Sequence, residues 1–366
     1  MPRSLYQGLS CCILNHIGFR GGAWLKVGIV NVTGYAGLEL ARLLLKHPAV
    51  ELTQVTGRSA VGQPLADMFP HLGETDLVIQ AEIDGSVDVA FSALPHKASA
   101  AAARPLLEAG AKVIDISADF RLKDVGLYEK WYQVAHPAPE LLAEAVYGLP
   151  ELHRDEIRNA RLIANPGCYP TSAILALSPV AGLIEPDVIV DSKSGVSGGG
   201  RTLSLTNHYS EVNENCQAYA LGGHRHLPEM VQELSYMREK SGAQSADDLS
   251  MVFLPHLVPM TRGILSSCYA RLTVDLSTQQ LRERYRELYE TAPFVRVVDK
   301  PPQTKHTWGS NYCVICPTID TRTKRLIVIS CIDNLVKGAA GQAVQNMNLM
   351  LGLDETLGIE QTPIYP

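Results

Sequence analysis

Cys168 is the residue of this chain whose neighbours most suggest chemistry. It lies in Leu162-Ile163-Ala164-Asn165-Pro166-Gly167-Cys168-Tyr169-Pro170-Thr171-Ser172. The pattern reads as a strand end over 162–164, a Pro-Gly turn, and a helix with Pro170 at its first position, where a missing N–H costs nothing. A thiol at a helix N-terminus meets unpaired N–H groups and the positive end of the helix dipole, which favour the reactive thiolate. Cys168 is therefore the candidate nucleophile. The competing reading is an inert buried cysteine, the commoner fate of a free thiol.

A nucleophile needs a proton acceptor, and Gly222-Gly223-His224-Arg225-His226-Leu227-Pro228-Glu229 supplies two histidines just before a helix. On an extended segment, side chains two residues apart point to opposite faces. His224 and His226 are thus expected to diverge, leaving one as acid/base, and no further His/Cys cluster stands where it would complete a metal site. Arg121, in Ser117-Ala118-Asp119-Phe120-Arg121, is a candidate anion-binding cation. Its competing role is an ion pair with Asp119 or Asp124. The loop 194–200, rich in Gly and Ser and flanked by Lys193 and Arg201, presents backbone N–H groups to an anion or a cofactor.

These residues need a frame. Leu25 to Val30 reads as a buried strand running into a turn that holds Asn31, Thr33, Gly34, Tyr35, Ala36 and Gly37, followed by a helix stopped at Pro48. Glycines let such a turn approach a pyrophosphate, which the helix N-terminus attracts. Asn31 occupies one position where a glycine would complete the spacing, and Asn is the residue besides Gly that best tolerates positive φ. A second strand, 50–55, ends at Thr56-Gly57-Arg58-Ser59 without the acidic residue that would bind a ribose 2′-hydroxyl. Arg58 and Ser59 suit a 2′-phosphate, hence NADP(H). Strands over 87–92 and 112–116 flank an alanine-rich helix, 98–109. Alternating strands and helices give a doubly wound parallel sheet with ligands beyond the strands' carboxyl ends, where Ser92, Leu94 and Pro95 stand. The runs 251–259, 266–274 and 312–332, with one helix over 278–289, read as a second, mixed sheet. Cys313 and Cys316 have a redox or metal spacing but lie in one of these apolar runs and read as strand cysteines.

Composition sets the outer bounds. The 366 residues are 46% hydrophobic and 19% charged, enough for two packed domains of a soluble protein. No apolar run approaches the length that crosses a bilayer. A net charge of −6 without a basic block gives a nucleic-acid surface no support. Eight scattered cysteines suggest free thiols in a reducing, cytoplasmic setting. Residues 1–24 carry no acidic side chain and are expected to be a disordered extension outside the fold.

Taken in order, Gly34-Tyr35-x-Gly37, Ser117 to Arg121, Asn165 to Thr171, Ser194 to Gly198, His224-Arg225-His226-x-Pro228-Glu229, Pro259-x-x-Arg262-Gly263 and Asp333-Asn334-Leu335-x-Lys337-Gly338-Ala339-Ala340 closely resemble the N-acetyl-γ-glutamyl-phosphate reductase family, relatives of the aspartate-semialdehyde dehydrogenases. The resemblance runs from about Lys26 to the C-terminus. It implies an α/β protein: a Rossmann-type doubly wound NADP-binding domain (25–164), an inserted α+β catalytic domain built on a mixed sheet (165–332), and a last helix (333–366) returning to the first domain. It also implies a homo-oligomer, dimer or tetramer, that reduces an acyl phosphate and releases inorganic phosphate.

In that chemistry the Cys168 thiolate forms a thioacyl-enzyme. His226 is the expected acid/base, with Glu229 as its partner and His224 as the alternative. Arg121 and Arg201 are expected at the leaving phosphate, and Arg225 or Arg262 at a substrate carboxylate. Carried over by resemblance, Ser197, Gly198 and Asn334 line the nicotinamide end of the cofactor site. Reductases of amino-adipyl and aspartyl phosphates share this chemistry and are the alternative reading. A non-catalytic NADP sensor would need none of Cys168, His226 and Arg121.

Overall fold

The computed structural model describes residues 24–242 and 249–366, so the expectation for the N-terminal extension falls, apart from Trp24, outside the described residues. Two seven-stranded sheets organise the chain. The first is formed by β1 (Leu25–Val30), β2 (Val50–Thr56), β3 (Ile79–Gln80), β4 (Val89–Ser92), β5 (Lys112–Asp115), β6 (Val146–Tyr147) and β7 (Leu162–Ala164). Its order is β3-β2-β1-β4-β5-β7-β6, and every pairing is parallel. Helices α1 (Tyr35–Leu44), α2 (Ser99–Glu108), α3 (Val125–Tyr132) and α4 (Pro150–Asn159) connect its strands. This is the doubly wound architecture expected. The two-residue strands β3 and β6 are too short to leave a periodic signal in the sequence.

The second sheet, order β12-β13-β14-β11-β8-β10-β9, joins β8 (Asp187–Ser194), β9 (Gln217–Ala218), β10 (Ser250–Leu257), β11 (Ile264–Arg271), β12 (Val295–Val297), β13 (Cys313–Asp320) and β14 (Arg325–Ile332). Its pairings are mixed: β8 with β10 and β12 with β13 are parallel, the others antiparallel. Helices α5 (Cys168–Leu177), α6 (Leu227–Lys240) and α7 (Thr278–Leu288) pack on it. Helix α7 begins with a complete capping box between Ser277 and Gln280. From Tyr169 onward every residue of α5 is buried, because its flanks meet β11, β14 and α6. Cys313 and Cys316 are free and buried in β13.

After β14 the chain forms a π-helical turn, Val336–Ala340, and then α8 (Gly341–Met350), which is buried along its whole length. Ala343, Val344 and Met347 share a core with Val27, Ile29 and Leu40 of the first sheet's layer. Buried polar groups on α8 are used to anchor it: Gln342 and Asn346 both donate to the Gly148 carbonyl, at 2.9 and 2.8 Å. The π turn is the wider winding often found at functional sites, and it lies against Cys168.

The strand order of the first sheet reverses between β1 and β4, and Asn31 follows β1 at that point. Its φ is +67°, the left-handed conformation that the sequence pattern requires of it. Its side chain does more than tolerate the turn. Nδ2 donates to the Ala93 carbonyl beyond β4 at 2.8 Å, and Oδ1 accepts from the Thr33 hydroxyl at 3.2 Å. Asn31→Ala keeps a Cβ in the left-handed region and removes both bonds. The expected destabilisation is about 2 kcal/mol, read as a lower urea midpoint at unchanged slope. A midpoint equal to the parent's would mean that the staple contributes nothing.

Candidate active site

Cys168 is presented by a turn fixed on both sides of Pro166. The Asn165 N–H donates to the Asp115 carbonyl at 2.8 Å, extending the β5–β7 pairing, while its amide donates to Ala339 O (3.2 Å) and accepts from Asn346 (3.0 Å). The Gly167 N–H donates to Glu229 Oε1 at 2.8 Å. Two glycines make room for the cysteine. A Cβ on Gly167 would lie 2.7 Å from His226 Nε2 and 2.8 Å from the Arg121 guanidinium, and one on Gly338 would lie 2.7 Å from Cys168 Cβ.

The helix begins at Cys168 with Gly167 as its cap, so Pro170 is the third helical residue rather than the first. It is still inside the first turn, where its N–H is dispensable. The expected ready-made thiolate is corrected. Desolvation by the cleft walls outweighs the helix terminus and the Arg121 charge, and pushes the thiol up to about 11.

The histidines are not divergent. The chain turns at 224–226, the His226 N–H donates to His224 Nδ1 at 3.0 Å, and the rings meet edge to face at 4.7 Å. Only His226 lines the cleft. His224 packs among Tyr169, Tyr219 and Phe253, where burial pushes it down to about 4. Burial, aided by the charges of Arg121 and Arg225, also holds His226 well below the usual histidine range. Its Nε2 lies 3.4 Å from Arg121 NH1, and a guanidinium only donates. Nε2 therefore carries the lone pair, and the imidazole is neutral.

Glu229 makes no contact with His226 among its hydrogen bonds, against expectation. It accepts instead from Gly167 N–H, from the Tyr147 hydroxyl at 2.8 Å, and weakly from Arg121 at 3.4 Å. The carboxylate is occupied by the groups around the Cys168 turn instead of by the ring. Arg121 is buried and forms no ion pair with Asp119 or Asp124. Its Nε and NH2 donate to the carbonyls of Asn165 (2.8 Å) and Ile116 (2.7 Å).

Cys168, His226 and Arg121 stand at one end of a cleft of about 1310 Å³ between the two sheets. Thr33, Gly34, Tyr35, Ala36, Arg58, Ser59, Leu94 and Pro95 line its far wall, and Ser197, Gly198, Arg201 and Asn334 line the near one. The cleft fits a dinucleotide. Gly34 caps α1 without a side-chain hydrogen bond, leaving the helix N–H groups to a phosphate, and Arg58 is exposed with no ion pair among the described residues. Asn334 is held by Ser197 Oγ (2.9 Å) and Gly263 N–H (2.8 Å).

Two expected cofactor residues lie off the cleft. Gly37 packs on the Asn31 carbonyl, where a Cβ would approach to 2.3 Å, and buried Ser92 bonds Ser99 beneath the surface. The sequence reading missed Ala98 at the head of α2 and the helix's Ala101 and Ala102, the loop 82–85, and Leu335 and Ala339. The small-residue stripe of α2 was visible but has no signature separating ligand contact from packing.

The remaining arginines sort by their partners. Arg262 is engaged by Glu39 at 2.7 Å and Asp333 at 3.4 Å, a latch between α1 and the second sheet, so it is not available to a substrate carboxylate. Arg201 reaches across to the Thr33 carbonyl at 3.1 Å and lies over Phe69, which puts it at the nucleotide turn rather than beside Cys168. Arg225 is exposed near His226, against His96 and Tyr132.

Comparisons with known proteins agree with this geometry. Residues 26–160 match the family model described as semialdehyde dehydrogenase, NAD binding domain, and 168–334 that described as semialdehyde dehydrogenase, dimerisation domain. An N-acetyl-gamma-glutamyl-phosphate reductase of Dehalococcoides mccartyi is 57% identical over 343 residues, covering 93% of this chain and 99% of its own. One from Symbiobacterium thermophilum is 51% identical over 353 residues, with the same coverage. Among solved structures, aspartate semialdehyde dehydrogenase II of Vibrio cholerae superposes with a TM-score of 0.68 at 20% identity, over 90% of this chain and 99% of that one. The Candida albicans aspartate semialdehyde dehydrogenase with NADP gives 0.66 at 18% identity, with the same coverage. At such identities these two speak for the fold.

With a thiol at about 11, only about one part in ten thousand of Cys168 is thiolate at pH 7. Alkylation of Cys168 by iodoacetamide in the cofactor-free protein, followed by peptide mass spectrometry, is therefore expected to accelerate about tenfold per pH unit from 7 to 9. A rate independent of pH over that range would restore the preformed thiolate.

Proposed function

The chain belongs to the semialdehyde dehydrogenase family and, within it, to the N-acetyl-gamma-glutamyl-phosphate reductases, and on that premise we propose a thioester mechanism centred on Cys168. The reaction is the reductive dephosphorylation of N-acetyl-γ-glutamyl phosphate to the semialdehyde with a nicotinamide cofactor, a step of arginine biosynthesis. The observation that carries the mechanism is the meeting of Cys168, His226 and Arg121 at one end of the nucleotide cleft.

His226, neutral and with its lone pair on Nε2, takes the thiol proton as sulfur attacks the acyl carbon, and the nearby Arg121 charge stabilises the thiolate as it forms. Phosphate leaves and the acyl group stays on sulfur. A reduced nicotinamide bound in the cleft supplies the hydride that takes this thioester to the aldehyde level. Arg121 is the cation nearest the leaving phosphate, and Arg225 takes the substrate's α-carboxylate. Arg201 is reassigned to the cofactor's phosphates by its contact with Thr33.

The cofactor is NADP(H), supported by Arg58, which is exposed beside Ser59 and has no ion pair among the described residues. A second copy of the chain is a partner, supported by the match of residues 168–334 to a dimerisation domain. No helix among the described residues is long and apolar enough to cross a membrane, and the free cysteines suit a reducing cytoplasm.

The test is phosphate-dependent reduction of NADP by N-acetylglutamate semialdehyde. Cys168→Ala is expected to abolish it, and His226→Asn to lower kcat by about 100- to 10,000-fold, more than His224→Asn. Equal rates in the parent and Cys168→Ala end the thioester reading. For cofactor choice, Arg58→Ala should raise the KM of NADPH about tenfold or more while leaving that of NADH nearly unchanged. An equal effect on both would remove Arg58 from the 2′-phosphate.

A further inference from the structure

We propose that His96 is a second binding residue for the α-carboxylate of the substrate, sharing that anion with Arg225, each of them next in the chain to a residue that lines the cleft, Pro95 and His226. The inference rests on the carboxylate role given to Arg225 above and extends it to a residue on the opposite domain.

Arg225 and His96 come from different halves of the molecule, the turn before α6 and the loop after β4. Among the described residues Arg225 has no carboxylate partner. Its NH1 instead meets His96 Nε2, and its guanidinium lies 5.7 Å from the centre of the Tyr132 ring. The His96 ring rests on the same Tyr132 at 5.5 Å. One aromatic ring thus contacts both side chains and keeps the guanidinium and the imidazole together. A guanidinium facing an imidazole lone pair is a weak arrangement beside a guanidinium and an imidazolium sharing a carboxylate.

The surrounding charges favour the same occupant. Burial, with the charges of Arg225, Lys97 and Arg121, holds His96 below the usual histidine range, and Asp119 is the one carboxylate opposing them. Asp119 is already committed: it accepts from the N–H groups of Lys97, Ser99 and Ala100 and from the Tyr128 hydroxyl. The first of these bonds, at 2.7 Å, pins Lys97 at φ +76°, a left-handed conformation that a long side chain rarely adopts. A strained loop held by a buried carboxylate is a common mark of a binding element, and this one carries His96 to Arg225.

Reach is consistent with the assignment. In a glutamyl chain bound to sulfur through its δ-carbon, the α-carboxylate lies about 5 Å from the reacting carbon. Arg225 is the chain neighbour of His226, which lines the cleft beside Cys168.

The experiment compares two aldehydes in the phosphate-dependent oxidation: N-acetylglutamate semialdehyde, and 4-acetamidobutanal, which is the same molecule without its carboxylate. For the His96→Ala holoenzyme the KM of the semialdehyde is expected to rise about 10- to 100-fold with kcat nearly unchanged, and kcat/KM for 4-acetamidobutanal to stay at the parent value. His96→Gln, which keeps an N–H donor, should recover part of the loss. An unchanged KM for the semialdehyde, an equal loss on both aldehydes, or a rise in the KM of phosphate instead, would each overturn the proposal. If Arg225→Ala discriminates between the aldehydes and His96→Ala does not, His96 is excluded while the carboxylate role of Arg225 stands. If neither discriminates, both readings fail.

Discussion

The buried carboxylate of Glu229 is the contact on which the arrangement around Cys168 depends. It lies on α6, a helix of the second sheet's layer, yet its three donors come from the first sheet and its loops: Gly167 N–H at the head of α5, the Tyr147 hydroxyl on β6, and Arg121 after β5. Burial raises its pKa, and the Arg121 charge opposes that rise. A carboxylate in this position stays ionised only while its donors remain. Removing one partner of such a buried pair characteristically costs about 3–5 kcal/mol, because the remaining charge has nowhere to go. The two halves are therefore coupled at the nucleophile itself. Arg121 is held by the same contact and, through the Asn165 carbonyl, clamps the turn that Glu229 supports from the other side.

Where a residue's role follows from local backbone geometry, the sequence was a good guide. The Gly34 turn, the strand and helix alternation, the free strand cysteines and the positive φ of Asn31 all follow from steric rules that act over a few residues. Roles that depend on what a side chain meets across the fold were poorly legible. His224 and His226 differ by two residues, and only the turn at 224–226, invisible in an alternation rule, brings their rings together. Glu229 was paired with the wrong neighbour for the same reason. Its spacing from His226 was known, but the arrival of Gly167 and Tyr147 from far upstream was not.

The arginines make the same point in terms of charge. All four were equivalent as sequence symbols, and the fold separates them by their partners. Arg262 is neutralised by Glu39 and Asp333, and with Arg42 on Glu39 it belongs to a network that fixes α1 against the second sheet. Arg121 has carbonyls on two of its three nitrogens and offers only one weakly engaged edge to a ligand. Arg225, the chain neighbour of cleft-lining His226, has no carboxylate partner among the described residues. A cation without a carboxylate partner contributes to binding an anion, whereas a cation already matched must first lose a partner to do so.

The same balance governs the nucleophile. A thioester waiting for hydride must be kept from water, and the walls that exclude water are those that desolvate the thiol and push it up to about 11. His226, lowered by the same burial, stays neutral. Cysteine and histidine therefore rest as an uncharged pair instead of a thiolate and an imidazolium, which would demand two desolvated charges between the cleft walls. Charge separation is deferred to the moment when the acyl carbon arrives and sulfur's new bond offsets its cost. The helix N-terminus and Arg121 stabilise little in the resting protein and most when sulfur becomes negative. Such selectivity for the reacting state is what lowers a barrier rather than merely tightening binding.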